Sequence, residues 1–135
     1  CELGDGIVIR TGQLNHPNGA CGYRIEFAGK SIAICTDTEH YEGRIDENVV
    51  ELAKEADVMV YDSAYTPEEY PKFKGWGHST WEEAIKVAEE ADVKQTFLFH
   101  HDPSHSDEKM DEIAKEAAAV REGVRPAIEG EEIEL

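Results

Sequence analysis

Two short runs that end in consecutive apolar residues, without regular polar alternation, constrain the fold of this chain more than any other feature. One covers residues 57–61 and is followed by Asp62; the other covers residues 93–99, becomes apolar and aromatic toward its end, and is followed by His100. Short runs of this kind are typical of strands that are buried on both faces. Segments with helical spacing of apolar residues separate them, so the order of elements predicts an α/β fold whose sheet is largely parallel in this region.

The amino-terminal part has a different pattern. Residues 6–10 and 21–27 alternate between apolar and polar side chains, and a tight connection at Ala28–Lys30 leads into a further run at 31–35. This pattern predicts an antiparallel hairpin. The sheet is therefore expected to be mixed.

Near the carboxyl end, residues 107–120 have the spacing of a helix, with Ser106 as its N-cap. Residues 127–128 and 133–135 are expected to form a terminal edge strand or hairpin. No internal repeat or low-complexity linker is present, so residues 1–135 are interpreted as a single domain.

Metal-type ligands follow the second apolar run. His100, His101 and Asp102 come directly after Phe99, and the functional crevice of an open α/β sheet lies beyond the carboxyl ends of its strands. Imidazole and carboxylate groups there suit zinc, iron or manganese. A helix start explains the residues from Ser106 onward but does not explain the two histidines.

Three further polar residues are candidates, each with a plainer alternative. Asp37 follows the run that ends at Cys35 and could instead form an Asx turn or a helix cap. His16 lies in a turn-rich loop and could be an ordinary surface residue. His78 precedes a helix start, where it could meet an anion or simply belong to a capped helix entry.

Residues 63–76 form an irregular stretch that contains two prolines and four aromatic residues. Long aromatic loops of this kind are often lids or pocket walls.

Composition bounds the class of protein. With 30 acidic and 13 basic residues the formal net charge is −17, which predicts that nucleic acid is disfavoured as a partner because polyanions are repelled. No apolar stretch approaches the length of a membrane span. The three cysteines, Cys1, Cys21 and Cys35, cannot all pair, and we expect reduced thiols in a cytoplasmic compartment.

Four motifs in order then resemble a known family. They are His16-Pro17, Thr36-Asp37-Thr38-Glu39-His40, Gly77-His78-Ser79-Thr80 and Leu98-Phe99-His100-His101-Asp102-Pro103. Together they resemble the carboxyl-terminal half of a metallo-β-lactamase-fold hydrolase, in the branch that contains ribonuclease Z and cyclic-nucleotide phosphodiesterases. The resemblance implies half of an αββα sandwich, with a mixed sheet and helices on one face.

The resemblance also implies a metal site for up to two divalent ions, zinc first, with manganese or iron as alternatives. In that family His16 would ligate one metal, Asp37 would bridge two, and His100 would complete the second. His78 would act as the proton donor or contact the phosphate. The remaining alternates for the late ligand are His40, His101 and His105.

One departure from the family pattern shapes the functional expectation. The ligand loop His-x-His-x-Asp-His does not occur in these residues. A hydrolytic centre with two metal ions needs both ions firmly held, and the ligands present here are too few to do so. The chain is therefore expected to be a fragment, or to pair with a complementary amino-terminal half or as a homo-oligomer. With the site completed, it would hydrolyse a phosphodiester or another small ester. The alternative is a non-catalytic metal-binding or structural half-domain that self-associates.

Overall fold

The structure is a computed structural model that describes residues 1–135. Its strands are β1 (Glu2–Gly4), β2 (Ile7–Leu14), β3 (Ala20–Phe27), β4 (Lys30–Cys35), β5 (Val58–Asp62), β6 (Gln95–Phe99) and β7 (Val124–Pro126). Its helices are α1 (Glu47–Ala53), α2 (Tyr70–Phe73), α3 (Trp81–Glu90) and α4 (Asp107–Val120). No helix combines the length and the apolar character that crossing a membrane requires.

The seven strands form one mixed sheet in which the spatial order is the chain order, β1 to β7. Strands β1 to β4 pair antiparallel, and β4 to β7 pair parallel. The predicted hairpin and the predicted parallel continuation are both confirmed, and they meet at β4. Since β2 and β4 are both antiparallel to β3, the loop after β2 lies at the same edge of the sheet as the carboxyl end of β4.

Three helices cover one face of this sheet, as the sequence predicted. Alternate strand residues such as Ala33, Met59 and Leu98 face α1, α3 and α4 and share one cluster of 20 buried residues with them. Each of these helices begins with a side-chain cap, supplied by Asp46, Thr80 and Ser106. Such caps satisfy backbone N–H groups that the first helical turn leaves unpaired.

The opposite face is apolar as well, and its residues Ile32, Val60 and Phe97 line a groove together with Ile128 and Ile133 of the segment after β7. This arrangement differs from the predicted terminal strand at 127–128 and 133–135, which does not form. Strand β7 instead comes earlier, at Val124–Pro126, parallel to β6. A proline at its end is tolerated because an edge strand needs no donor on its outer side.

The environments of the cysteines predict their reactivity. Cys1 and Cys21 are exposed, whereas Cys35 is buried in β4 and all three are free. Burial raises the pKa of the Cys35 thiol to about 12, so at pH 8 only about one Cys35 side chain in ten thousand is the reactive thiolate. Titration of the native chain with a chromogenic disulfide reagent should detect two thiols quickly and the third only after denaturation. Rapid reaction of all three in the native chain would contradict this burial.

Candidate metal centre

The carboxyl ends of the three central parallel strands bring the predicted ligands together. Asp37 lies two residues beyond β4, Asp62 ends β5, and His100 follows β6 directly. Asp37 and His100 adopt left-handed backbone conformations, with φ of 59° and 62°. Non-glycine residues rarely do so, and such strained positions cluster at functional sites. At both positions the chain turns sharply where the strand ends.

His16 reaches the same edge from the loop between β2 and β3. The backbone N–H of Asn18 donates to its Nδ1 over 3.3 Å, which leaves Nε2 free for another partner. The loop is attached to the segment after β4 by two hydrogen bonds of 2.8 Å, from Glu39 N to Asn15 O and from Asn15 Nδ2 to Glu39 O. His16 is thereby positioned beside Asp37.

Asp62 connects the site, and sequence reasoning did not include it. Its carboxylate is fully buried and accepts hydrogen bonds from the ring of His78, at 2.8 Å, and from four backbone N–H groups. The four backbone donors are Asp37, Thr38, Ala64 and Ser79, at 2.9, 3.3, 3.3 and 3.1 Å. The signal that could have identified it is its place as the polar residue ending β5, between the strands that lead to Asp37 and His100.

Asp62 orients His78 and favours its protonated form. Its Nδ1 donates to Asp62 Oδ2 over 2.8 Å. This hydrogen bond raises the pKa of His78 above its ordinary value, against the opposing effect of partial burial. The protonated form of the ring is therefore favoured, and Nε2 is left as a second donor.

Two overlapping groups of ligand atoms result from this arrangement. The ligand atoms of His16, Asp37 and His78 lie within 4.8 Å of one another, and so do those of Asp62, His78 and His100. His100 Nδ1 is 3.7 Å from Asp37 Oδ2. A compact set of imidazole nitrogens and carboxylate oxygens matches the donors that zinc, iron and manganese accept, so the residues present fit a divalent metal.

The three alternate histidines lie outside both groups. His40 Nδ1 is 2.9 Å from Ser79 Oγ, and burial lowers the pKa of its ring. His105 Nε2 is 3.0 Å from a carboxylate oxygen of Glu69. His101 has both ring nitrogens buried without a hydrogen-bond partner, and burial lowers its pKa. We therefore retain His100 as the proposed late ligand.

The aromatic stretch between β5 and α3, for which a lid or pocket wall is predicted, approaches the site through Tyr65, whose ring is 6.3 Å from that of His78. Its backbone is fixed by the buried carboxylate of Glu39, which accepts hydrogen bonds from Tyr70 Oη and from the N–H groups of Gly75 and Gly77, at 2.7, 2.7 and 2.9 Å. Burial opposes ionisation of Glu39, yet these donors hold its pKa below the ordinary value. Glu39 thus joins three parts of the site: it lies in the segment after β4, its backbone binds Asn15 of the His16 loop, and its carboxylate binds the segment before His78.

Gly77 offers a test of this packing. A Cβ at Gly77 would lie 2.2 Å from His16 Cδ2 and 2.7 Å from its Nε2. Gly77→Ala should therefore displace the His16 ring and weaken zinc binding by about tenfold or more, in addition to the cost of strain at a φ of 93°.

Gly75→Ala is the matched control, because Gly75 has a similar φ of 88° and nothing within 4 Å of its added Cβ. Zinc titration and urea unfolding of both variants separate the two effects. We expect similar losses of unfolding free energy from strain but a loss of zinc affinity only at Gly77. Equal zinc affinities in the two variants would show that His16 is not held by this contact.

Comparison with known proteins identifies the superfamily and the fold. The family model described as Beta-lactamase superfamily domain matches residues 3–101. The chain belongs to the β-lactamase superfamily. Among solved structures, the metallo-β-lactamase-fold protein YhfI from Bacillus subtilis superposes on 93% of this chain and 48% of its own, with a TM-score of 0.77 and 20% identity. The predicted fold, half of a metallo-β-lactamase sandwich with helices on one face, is confirmed.

Relatives also confirm the predicted ribonuclease Z branch of this superfamily. Ribonuclease Z of Brevibacillus brevis is 34% identical over 99 residues, which is 73% of this chain and 30% of that protein. Human tRNase Z, short form, has a TM-score of 0.64 and 24% identity over 76% of this chain and 38% of its own. The chain spans about a third of the length of the curated relatives it matches.

One sequence prediction is wrong. The net charge was expected to disfavour nucleic acid, yet the superfamily relatives carry the names ribonuclease Z and tRNase Z, which denote enzymes acting on RNA. Net charge sums the whole surface, and much of the acidic excess here lies on exposed helix faces and in residues 129–134. A phosphate group that approaches a protein responds to the local field, which divalent cations held at a site would make positive.

Proposed function

We propose that this chain supplies one side of a metal-dependent phosphodiesterase site that cleaves RNA. In this proposal His16, Asp37 and His100 are metal ligands and His78 is the proton donor. The observation that carries it is that His16, Asp37, His100 and Asp62 lie around His78, which is common to two overlapping groups of ligand-type atoms. The relatives named ribonuclease Z support RNA as the substrate class.

Asp37 is suited to the position between the two ligand groups. It belongs to the group with His16, and its Oδ2 is also 3.7 Å from His100 Nδ1. A divalent ion, zinc first with manganese and iron as alternatives, would supply Lewis-acid activation of the scissile bond and of a water molecule when bound. Three ligand residues shared between two ions are fewer than two metal ions usually require. We therefore propose that a second segment or subunit completes the site.

His78 would protonate the leaving oxygen or hold the phosphate. Its Nδ1 donates to Asp62, which fixes the plane of the ring and leaves the Nε2 proton for the substrate. The raised pKa, caused first by the hydrogen bond to Asp62, increases the protonated fraction near neutral pH. A positioned acid of this kind contributes about 10²- to 10⁴-fold to rate.

The test uses a short RNA and bis-p-nitrophenyl phosphate with added zinc or manganese. The chain is assayed alone and together with a separately expressed segment of a relative that carries His-x-His-x-Asp-His. We expect turnover by the combination, abolished by chelator, and about 100-fold slower with His78→Ala. His40→Ala is the control, because His40 lies outside both ligand groups.

Turnover that is unaffected by His78→Ala would contradict the assigned role. Metal binding without turnover, both alone and in combination, would contradict the enzyme and identify a metal-binding module instead.

A further inference from the structure

The segment Tyr70–Thr80 combines aromatic rings with positive charge beside the proposed site. It contains Lys72 and Lys74 and no carboxylate, in a chain with 30 acidic residues. Both lysines and Trp76 are exposed, and His78 follows two residues after Trp76. Interleaved basic and aromatic side chains are a common feature of surfaces that bind single-stranded nucleic acid.

The aromatic rings of this region form a continuous row that ends at the site. The indole of Trp76 is 62% exposed and contacts Phe73 edge to face, with centroids 5.5 Å apart. Phe73 stacks on Tyr65 at 4.5 Å and 6°, and the Tyr65 ring is 6.3 Å from that of His78. A single exposed aromatic residue is ordinary, but Trp76 is the exposed end of a row that leads to the proposed proton donor.

The backbone on both sides of Trp76 is fixed. Gly75 and Gly77 each donate an N–H to the buried carboxylate of Glu39, over 2.7 and 2.9 Å. These bonds hold the peptide units before Gly75 and after Trp76, so the backbone that carries the exposed Trp76 is restrained. Only Gly77 lies between Trp76 and His78 along the chain, so their Cα atoms are at most about 7 Å apart, and a group held by the indole lies near the site.

We propose that Trp76 is a stacking platform for a base of single-stranded RNA next to the scissile phosphate, and that Lys72 contacts the adjoining backbone. This inference rests on the proposed function for its substrate class. Bases stack on aromatic faces irrespective of sequence, and unpaired RNA exposes those faces. Lys72 is the better placed cation, because Lys74 Nζ already pairs with a carboxylate oxygen of Glu42 at 2.6 Å.

Binding is measured without turnover, in the presence of chelator, by fluorescence anisotropy of a labelled six-residue oligoadenylate. A sugar–phosphate oligomer of the same length without bases is the comparison ligand. Trp76→Ala should weaken oligoadenylate binding about 5- to 150-fold and leave binding of the base-free oligomer unchanged. Trp76→Phe should restore most of the affinity. This binding measurement does not depend on hydrolysis. The expected loss of oligoadenylate affinity in Trp76→Ala could therefore still be observed if the proposed hydrolase function failed.

Two further measurements make the outcome specific. Phe27→Ala removes another exposed aromatic residue, 53% exposed and at the opposite end of the sheet, and should not change oligoadenylate affinity.

In a Trp81→Phe chain all indole emission comes from Trp76, and oligoadenylate should quench it. Equal affinity of Trp76→Ala and the unaltered chain for oligoadenylate, an equal loss for both ligands, or unquenched emission would each overturn the proposal.

Discussion

Replacing Asp62 with alanine is expected to cost about 3–5 kcal/mol of unfolding free energy, the usual range when one partner of a buried charged pair is removed. The carboxylate is fully buried and holds the His78 ring together with four backbone N–H groups from three segments. Alanine would leave these donors buried and unpaired, each at a cost of about 1–3 kcal/mol if no water replaces the carboxylate. Urea unfolding at pH 7 measures the loss.

Asp62→Asn separates charge from shape. Asparagine keeps the volume of the side chain and one acceptor oxygen. Its NH₂ group replaces the second oxygen and cannot accept the hydrogen bonds made there, so we expect an intermediate loss of unfolding free energy. Asp57→Ala is the matched control at the other end of the sheet. Asp57 accepts from Ser31 N at 2.8 Å and from Lys94 Nζ at 2.7 Å, and the exposed Lys94 can return to water. Equal losses for Asp62→Ala and Asp57→Ala would contradict the central role of Asp62.

Zinc affinity should fall at least about 100-fold in Asp37→Ala and in His100→Ala, while His101→Ala and His105→Ala change it only a few-fold. Removing a residue that merely orients a ligand typically costs 10- to 100-fold, so loss of a ligand should cost at least as much. Asp37 is expected to show the larger effect, because a bridging carboxylate forms bonds to two ions. Calorimetric titration of zinc into the four variants measures this.

His105→Ala is the control for general disturbance of the loop after β6, since its ring is 3.0 Å from Glu69 and lies outside both ligand groups. Unchanged affinity in Asp37→Ala, or a larger loss from His101→Ala than from His100→Ala, would overturn the assignment. Urea unfolding of each variant should accompany the titration, so that a loss of affinity is not confused with a loss of fold.

The sequence predicted most of the architecture because its signals there are local. Alternating and unalternating runs distinguished the hairpin from the parallel strands, and the helix at 107–120 was predicted with the bounds that the structure has. Strand β7 was misplaced because Ala127 and Ile128 looked apolar enough to pair. The ladder with β6 instead uses Val124 to Pro126, and Gly123, with a φ of 79°, turns the chain into it.

Asp62 shows why part of the candidate site could not be predicted from the sequence. Its position at the end of β5 was evident, but its importance comes from donors at Asp37, Thr38 and Ser79, which lie 17 to 25 residues away along the chain. No spacing rule reports such contacts. The charge prediction failed for a related reason, since a net charge of −17 sums the whole surface and does not report the local field at the site.

The strand order has a consequence for how the chain acquires its structure. Each strand lies beside the strand that precedes it in sequence, so β2 to β4 join through short connections and only the later crossovers close longer loops. Contacts between near neighbours in sequence lower contact order and favour rapid folding. During synthesis, which proceeds from the amino end, each strand from β2 to β7 meets the edge formed by the strand before it. The sheet can therefore be extended from one growing edge, and no strand has to be inserted between two others.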